Sequence, residues 1–210
     1  MAAYRAKRIV DLVLVCTSAP LWLPLLAAVA WMVRRRIGSP VLFRQQRTGR
    51  AGRAFGMVKF RSMTNARDDA GRLLPDAVRL TPFGRWLRST SLDELPELLN
   101  VLRGDMSLVG PRPLLPQYTA RYSAAHRRRL ELAPGLTGLA QVSGRNAIDW
   151  PAKFELDVRY VDSCSLTLDA SILWQTVRAV VVRDGISAGS DATMPEFIGY
   201  DGPGPPSCRG

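Results

Sequence analysis

Ser91-Leu92-Asp93-Glu94 opens a stretch in which Leu95, Leu98, Leu99 and Leu102 recur at helical spacing. Two readings of these adjacent carboxylates compete. Ser three residues before Glu, ahead of an apolar helix, is a capping box, in which the side chains only satisfy free N–H groups of the first turn. The same helix start is also an anion site. Two neighbouring carboxylates there can hold a hard cation such as Mg²⁺, which would screen their repulsion from each other and from an incoming diphosphate. One of them can attack phosphorus as a nucleophile. The surroundings favour chemistry. Lys59, Arg61, Arg85, Arg88, Arg103 and Arg112 lie in segments able to converge on this turn, and guanidinium forks match phosphate oxygens.

Other catalytic patterns are missing from the sequence. It has no Gly-rich phosphate loop, no GxGxxG and no Ser/His/Asp spacing. Its single histidine, His126, sits in an arginine run, so acid–base work falls to carboxylates or to the substrate. Cys16, Cys164 and Cys208 are widely spaced and odd in number, which argues against a zinc site or a disulfide framework and fits a reducing compartment.

The positioning elements read as a mostly helical α+β fold. Val41 to Arg44 and Phe55 to Met63 form a hairpin across the basic connection Arg47-Thr48-Gly49-Arg50-Ala51-Gly52-Arg53. Asn65 to Leu73 is a solvated loop or helix. Thr81-Pro82 opens one helix, and Ser91 opens a second that ends at Gly104. Val109-Gly110-Pro111-Arg112-Pro113 is an extended connection. A helix from about Gln117 to Leu132 follows, then the loop Pro134 to Gly138, then helices at Trp150 to Asp162 and Leu168 to Arg183. The last carries Trp174 and Arg178 among aliphatic residues, which suits either a membrane surface or a core-facing helix with solvated arginines. From Asp184 the chain is rich in Gly, Pro and Ser and is expected to be loosely ordered.

Leu12 to Val33 carries no charge, about the span of a membrane helix. Arg5, Lys7 and Arg8 precede it and Arg34, Arg35 and Arg36 follow it, which makes a cleaved signal a poor reading. Both flanks prefer the cytoplasmic side. Pro20 and Pro24 lie near its middle, and proline kinks a helix. A kinked helix with two cytoplasmic ends dips into one leaflet and returns; a kinked spanning anchor is the alternative. Thr17 and Ser18 could cover backbone at the break. The 210 residues, 47% hydrophobic and 22% charged, suit one domain with a small appendage. A net charge of +11 calls for an anionic partner: nucleic acid, lipid headgroups or phosphorylated substrates.

Ser91-Leu92-Asp93-Glu94-Leu95-Pro96 through Asn100-Val101-Leu102-Arg103-Gly104-Asp105-Met106-Ser107-Leu108-Val109-Gly110-Pro111-Arg112-Pro113 resembles the bacterial sugar transferases, the monotopic phosphoglycosyl transferases. Lys7-Arg8-Ile9-Val10-Asp11, Val58-Lys59-Phe60-Arg61-Ser62-Met63, Pro134-Gly135-Leu136-Thr137-Gly138, Ala140-Gln141-Val142 and Gly144-Arg145-Asn146 extend the likeness from about residue 5 to about 185. The resemblance implies a re-entrant membrane helix over residues 1–38, broken at Pro24 or shared with Pro20. A catalytic domain over 39–185 would carry amphipathic helices on the inner leaflet, and 186–210 would be a tail. It implies Asp93 as nucleophile on a UDP-sugar, with Mg²⁺ at Asp93 and Glu94, UMP as leaving group and polyprenyl phosphate, typically undecaprenyl phosphate, as acceptor. Glu94 would act as metal partner or base. Lys59, Arg88, Arg112 and Arg145 are the candidate phosphate contacts. The implied location is the cytoplasmic face of the bacterial inner membrane, with anionic lipids as partners, no nucleic acid, and a homodimer as an option.

Departures from the family pattern are Leu23 before the membrane proline, where Ser is common, and Ala133 and Leu139, where Arg and Trp are common. The competing classes are a membrane-anchored nucleic-acid- or lipid-binding protein and an inactive glycan-assembly scaffold. The arginines sit beside carboxylates and Gly/Pro turns with little aromatic interleaving, which disfavours base stacking. The intact Asp93-Glu94 pair disfavours the scaffold.

Overall fold

The computed structural model describes residues 2–144, 148–182 and 196–200. It is mostly helical with two small sheets, in agreement with the α+β expectation. Helices α1 (Ala2–Thr17) and α2 (Ala19–Arg36) meet at a bend of 64°. Among the described residues no single helix is long and apolar enough to cross a membrane, although this bent pair meets the length and composition required. The break lies at Ser18, with Pro20 in the first turn of α2. Pro24 sits inside α2, which continues through it, so of the two candidate prolines it is Pro20 that adjoins the break. Proline has no N–H to return to the carbonyl four residues back, and at the break side chains bond carbonyls of the last turn of α1. Thr17 Oγ1 donates to Val13 O at 2.7 Å, Ser18 Oγ to Leu14 O at 2.6 Å, and Trp22 Nε1 to Val15 O at 2.9 Å.

Strands β1 (Leu42–Thr48) and β2 (Ala54–Phe60) pair antiparallel from Leu42 opposite Phe60 to Thr48 opposite Ala54. The hairpin was legible in the sequence, but its first strand runs four residues further than expected and absorbs Arg47. Short helices α3 (Asp76–Arg79) and α4 (Pro82–Ser89) follow. Thr81 caps α4, its Oγ1 accepting from Gly84 N at 2.9 Å. A Cβ at Gly84 would stand 1.8 Å from the Ser62 carbonyl, so only glycine lets α4 lie this close to the end of β2. Helix α5 (Glu97–Arg103) ends at Gly104 in the left-handed region, as the sequence suggested. Asn100, wholly buried, clips α5 to β2. It accepts from Val58 N and donates to Gly56 O at 2.8 Å.

A second sheet was not foreseen. Strand β3 (Ser107–Val109) pairs parallel with β4 (Gly135–Thr137), inside stretches read as an extended connection and a loop. Each strand is three residues long, too short for an alternation signal. A Cβ at Gly135 would stand 2.1 Å from Gly110 N, so the sheet also needs glycine at its crossing. The single helix expected from Gln117 to Leu132 is broken. Residues Pro116–Arg121 form a 3₁₀ turn and Tyr122 is extended. Ser123 then caps the short α6 (Ala124–Arg127), and Arg128–Leu130 form another 3₁₀ turn. The Ser123 hydroxyl accepts from His126 N, a local bond that competes with continuing the helix. Helices α7 (Leu139–Ser143), α8 (Trp150–Ser163) and α9 (Leu166–Val182) complete the order.

Among the described residues three apolar clusters hold these elements. One joins Val15 and Trp22 to Val101, Val109, Tyr160 and Ile172. A second packs the distal half of α2, through Val29 and Val33, on Phe60 and Leu87. The third is aromatic: Tyr118, Tyr122, Phe154 and Phe197. Phe197 lies in the stretch expected to be loosely ordered, yet within 196–200 it is 2% exposed. Buried polar pairs tie α1 to the core. Lys7 Nζ meets Asp169 at 2.6 Å, and Ser107 Oγ donates to Asp11 at 2.7 Å. Apolar surface remains uncovered on α1 and α2 (Ile9, Leu21, Trp31) and on α9 (Trp174, Val177, Val182).

Candidate active site

Asp93 and Glu94 do not form a capping box. Ser91 is left-handed, at φ 55°, and its side chain caps nothing. Leu92–Glu94 form a 3₁₀ turn, and Pro96 delays α5 to Glu97. The turn follows α4 almost immediately, since Ser91 N still bonds Arg88 O. The carboxylates therefore project from a tight connection between two helices, over the face of β2.

Lys59 rises from that face. Its Nζ lies 2.6 Å from Glu94 Oε1 and 3.1 Å from Glu97 Oε1. Arg112 reaches the same Glu94 oxygen at 2.8 Å from the Pro111-Arg112-Pro113 connection. Arg88 Nε donates to Ser62 Oγ at 2.9 Å, which fixes it on α4 beside Asp93. Lys59, Arg88, Asp93, Glu94 and Arg112 line one open cleft of about 1780 Å³. Arg61 and Arg85 line the cleft as well, Arg61 donating to the carbonyls of Ser39 and Ile37 at the end of α2 and Arg85 to Leu80 O. Arg103 is exposed outside the cleft. Arg145 lies outside the described residues.

The two carboxylates are electrostatically unlike. Burial would raise Glu94, but Arg112 and Lys59 outweigh it and hold Glu94 far below the usual carboxylate range. Asp93 is pushed up to about 6 by burial and then by the charge of Glu94, against the pull of Lys59, Arg88 and Arg112. Glu94 is thus a fixed anion. Asp93 is a more basic carboxylate and the better nucleophile of the two once ionised.

Sequence reasoning missed four participants. Glu97, 2% exposed, is pushed up to about 7 by burial and by Glu94. Arg129 and Asp157 form a buried pair at 2.7 Å, and Arg129 Nη2 also donates to Arg112 O at 2.7 Å. They are 28 residues apart, and no local pattern joins them. Arg47 lines the cleft too. Its place one alternation beyond Phe43 and Gln45 is the available signal, masked by the Gly- and Arg-rich turn that follows it.

Among the described residues no group of three His, Cys, Asp or Glu side chains could hold a metal by itself. Two carboxylates still suit Mg²⁺, which commonly binds one or two of them together with substrate phosphates. Since Glu94 Oε1 already meets two cations, such an ion would lean chiefly on Asp93 and the substrate.

Residues 2–183 match the family described as bacterial sugar transferase. The chain belongs to the bacterial sugar transferase family. It is an enzyme of the phosphoglycosyl transferase class, as the central motif implied. This sugar transferase is 52% identical over 198 residues to the sugar transferase EpsL of Bacillus subtilis, covering 92% of the chain and 96% of that protein. It is 39% identical over 188 residues to the UDP-glucose:undecaprenyl-phosphate glucose-1-phosphate transferase of Caulobacter vibrioides, covering 85% of the chain and 70% of the relative. It is 42% identical over 172 residues to the undecaprenyl-phosphate galactose phosphotransferase of Salmonella typhimurium. That match takes in 74% of the chain but only 36% of the longer Salmonella protein.

Proposed function

We propose that the protein transfers a sugar-1-phosphate from a UDP-sugar to undecaprenyl phosphate through a covalent intermediate on Asp93. The observation that carries this reading is the unequal dyad: a half-buried, basic Asp93 beside a Glu94 pinned by Lys59 and Arg112. An Asp93 oxygen bonds to the β-phosphorus, the bond from that phosphorus to the bridging oxygen breaks, and UMP leaves with the electron pair. A phosphate oxygen of the lipid then attacks the same phosphorus and the Asp93 carboxylate departs. Glu94 keeps Lys59 and Arg112 in place while Arg88 and Arg112 face the phosphate oxygens. Mg²⁺, held by Asp93, Glu94 and the substrate, would supply charge screening for the diphosphate.

The named activities of the Caulobacter and Salmonella relatives support the donor and acceptor classes. The cleft reaches Trp86 on α4 and Val180 on α9, both exposed, so an acceptor rooted in a membrane has an apolar approach. The bent α1–α2 pair, basic at both ends, suits a re-entrant anchor at the cytoplasmic face of the bacterial inner membrane, with anionic lipids as neighbours. The test is incubation with a panel of β-phosphorus-labelled UDP-sugars without lipid. Stoichiometric UMP release with label trapped on the protein is expected. Trapping by Asp93→Asn would overturn the nucleophile, and release of UDP would overturn the reaction class.

A further inference from the structure

We propose that Arg47 binds a phosphoryl oxygen of the substrate, at the far end of the cleft from Arg88. The inference rests on the sugar-phosphate transfer proposed above and names a residue that reading does not use. Arg47 stands on the same face of the β1–β2 hairpin as Lys59, because Phe43 pairs with Lys59, Gln45 with Met57 and Arg47 with Phe55. It lines the cleft that holds Asp93, Glu94 and Arg112. Phe55, opposite Arg47, and Ser62, which anchors Arg88, are separated by roughly 20 Å of chain at strand rise. The cations thus flank the reaction centre from both ends of the hairpin.

Arg47 is poorly supplied for a structural role. Its Nη2 donates to Gln45 Oε1 at 2.6 Å, a neutral neighbour on its own strand. Its Nε is buried without a hydrogen-bond partner. No carboxylate forms an ion pair with it among the described residues; Glu94 is taken by Lys59 and Arg112, and Glu97 by Lys59. Burial and then the nearby charge of Arg112 disfavour a cation at this place, and they outweigh the favourable charges of Glu97 and Glu94. A planar fork held half-satisfied beside another arginine is what an incoming phosphate completes, since two guanidiniums can share one anion. The neighbouring Arg129 shows the contrast: its guanidinium is filled by Asp157, Tyr122 and the Arg112 carbonyl.

The oxygen can belong to the donor diphosphate or to the lipid phosphate, and the experiment separates them. Binding of inorganic pyrophosphate and of UMP to the full chain in detergent would be measured by calorimetry for the wild type, Arg47→Gln and Arg47→Lys. Steady-state KM for the UDP-sugar and for undecaprenyl phosphate would be determined in parallel. Arg47→Gln is expected to weaken pyrophosphate binding about tenfold or more, as for loss of a charge-assisted hydrogen bond. A matching rise in donor KM with kcat nearly constant assigns the contact to the donor. A rise confined to acceptor KM, with pyrophosphate still weakened, assigns it to the lipid phosphate. Arg47→Lys, which keeps the charge and loses the fork, should fall between, and it decides the matter if Arg47→Gln fails to fold. Unchanged pyrophosphate affinity and unchanged KM values in a folded variant would overturn the inference, as would a loss of kcat alone. Wild type that binds pyrophosphate but turns over no UDP-sugar would sink the proposed function and leave the Arg47 site to the binding measurement.

Discussion

At the scale of single residues, the site is organised by which carboxylate receives the cations. Glu94 receives two, and Asp93 is left as the more basic partner. Asp93→Asn should lower turnover by at least about a thousandfold, as removal of an essential nucleophile does. It should also stabilise the fold at neutral pH by on the order of 1 kcal/mol, because a half-buried charge repelled by Glu94 disappears. Thermal melting in the presence of a chelator checks this. The pH dependence has a definite sign. Asp93 and Glu97 bind protons more tightly folded than unfolded, with values of about 6 and about 7. Their contribution is therefore fully present below the unfolded carboxylate range and is lost as pH rises from about 4 to about 7. Metal-free protein should melt at progressively lower temperature across that window, and the slope should shrink in Glu97→Gln. Catalysis runs the other way, since Asp93 must be ionised to attack: single-turnover UMP release should fall as the pH becomes acidic.

At the scale of elements, two connections decide the site's geometry. The first is the hold of α8 on the Pro111-Arg112-Pro113 stretch. Arg129, 2% exposed, is paired with Asp157 and donates to the Arg112 carbonyl. Arg129→Met alone should destabilise by about 3–5 kcal/mol, because it leaves Asp157 buried and unpaired. Arg129→Met with Asp157→Leu should recover most of that stability but not full turnover, since the Arg112 carbonyl loses its donor. Melting curves and kcat/KM measured on the same samples separate the two effects. The second connection is the break between α1 and α2. Pro20 adjoins it and Pro24 does not. In a chain stripped of its native cysteines, labels at Tyr4 and Gly38 should both react from the cytoplasmic side. Pro20→Ala should disturb that pattern more than Pro24→Ala, and reaction of the two labels from opposite sides would show a spanning anchor instead.

At the scale of the whole molecule, the cleft wall is built by chain segments far apart in sequence. Phe197 packs edge-on against Phe154, with ring centroids 5.0 Å apart, and against Tyr118 at 5.9 Å. Arg121 bonds both Glu196 and the Phe197 carbonyl, and Tyr200 meets His126. Tyr118 and Phe154 line the cleft, so this packing supports a wall of the site. Phe197→Ala should destabilise by about 3–5 kcal/mol, the range for emptying a large aromatic position. Donor KM should rise in the fraction that remains folded. The exposed apolar residues of α2 and α9, Trp31 and Trp174 among them, give the molecule an unpartnered surface. That surface fits the membrane reading without requiring a spanning helix.

Local chemistry in the sequence determined a good deal: the basic-flanked apolar segment, the hairpin, the Thr81 and Gly104 helix boundaries, the two long C-terminal helices and the Asp93-Glu94 motif. These are short-range signals of period, caps and charge. Tertiary structure decided the rest. Ser91 lost its capping role because its backbone is left-handed, at φ 55°, where an N-cap residue is extended. Gln117 to Leu132 broke because Ser123 offered a competing cap and the aromatic cluster drew Tyr118 and Tyr122 inward. Strands β3 and β4 escaped notice because three residues carry no alternation, and their pairing joins segments 28 residues apart. The division of labour at the site was decided last. Adjacent carboxylates look equivalent in sequence; only the folded chain brings Lys59 and Arg112 to one of them and leaves the other to react.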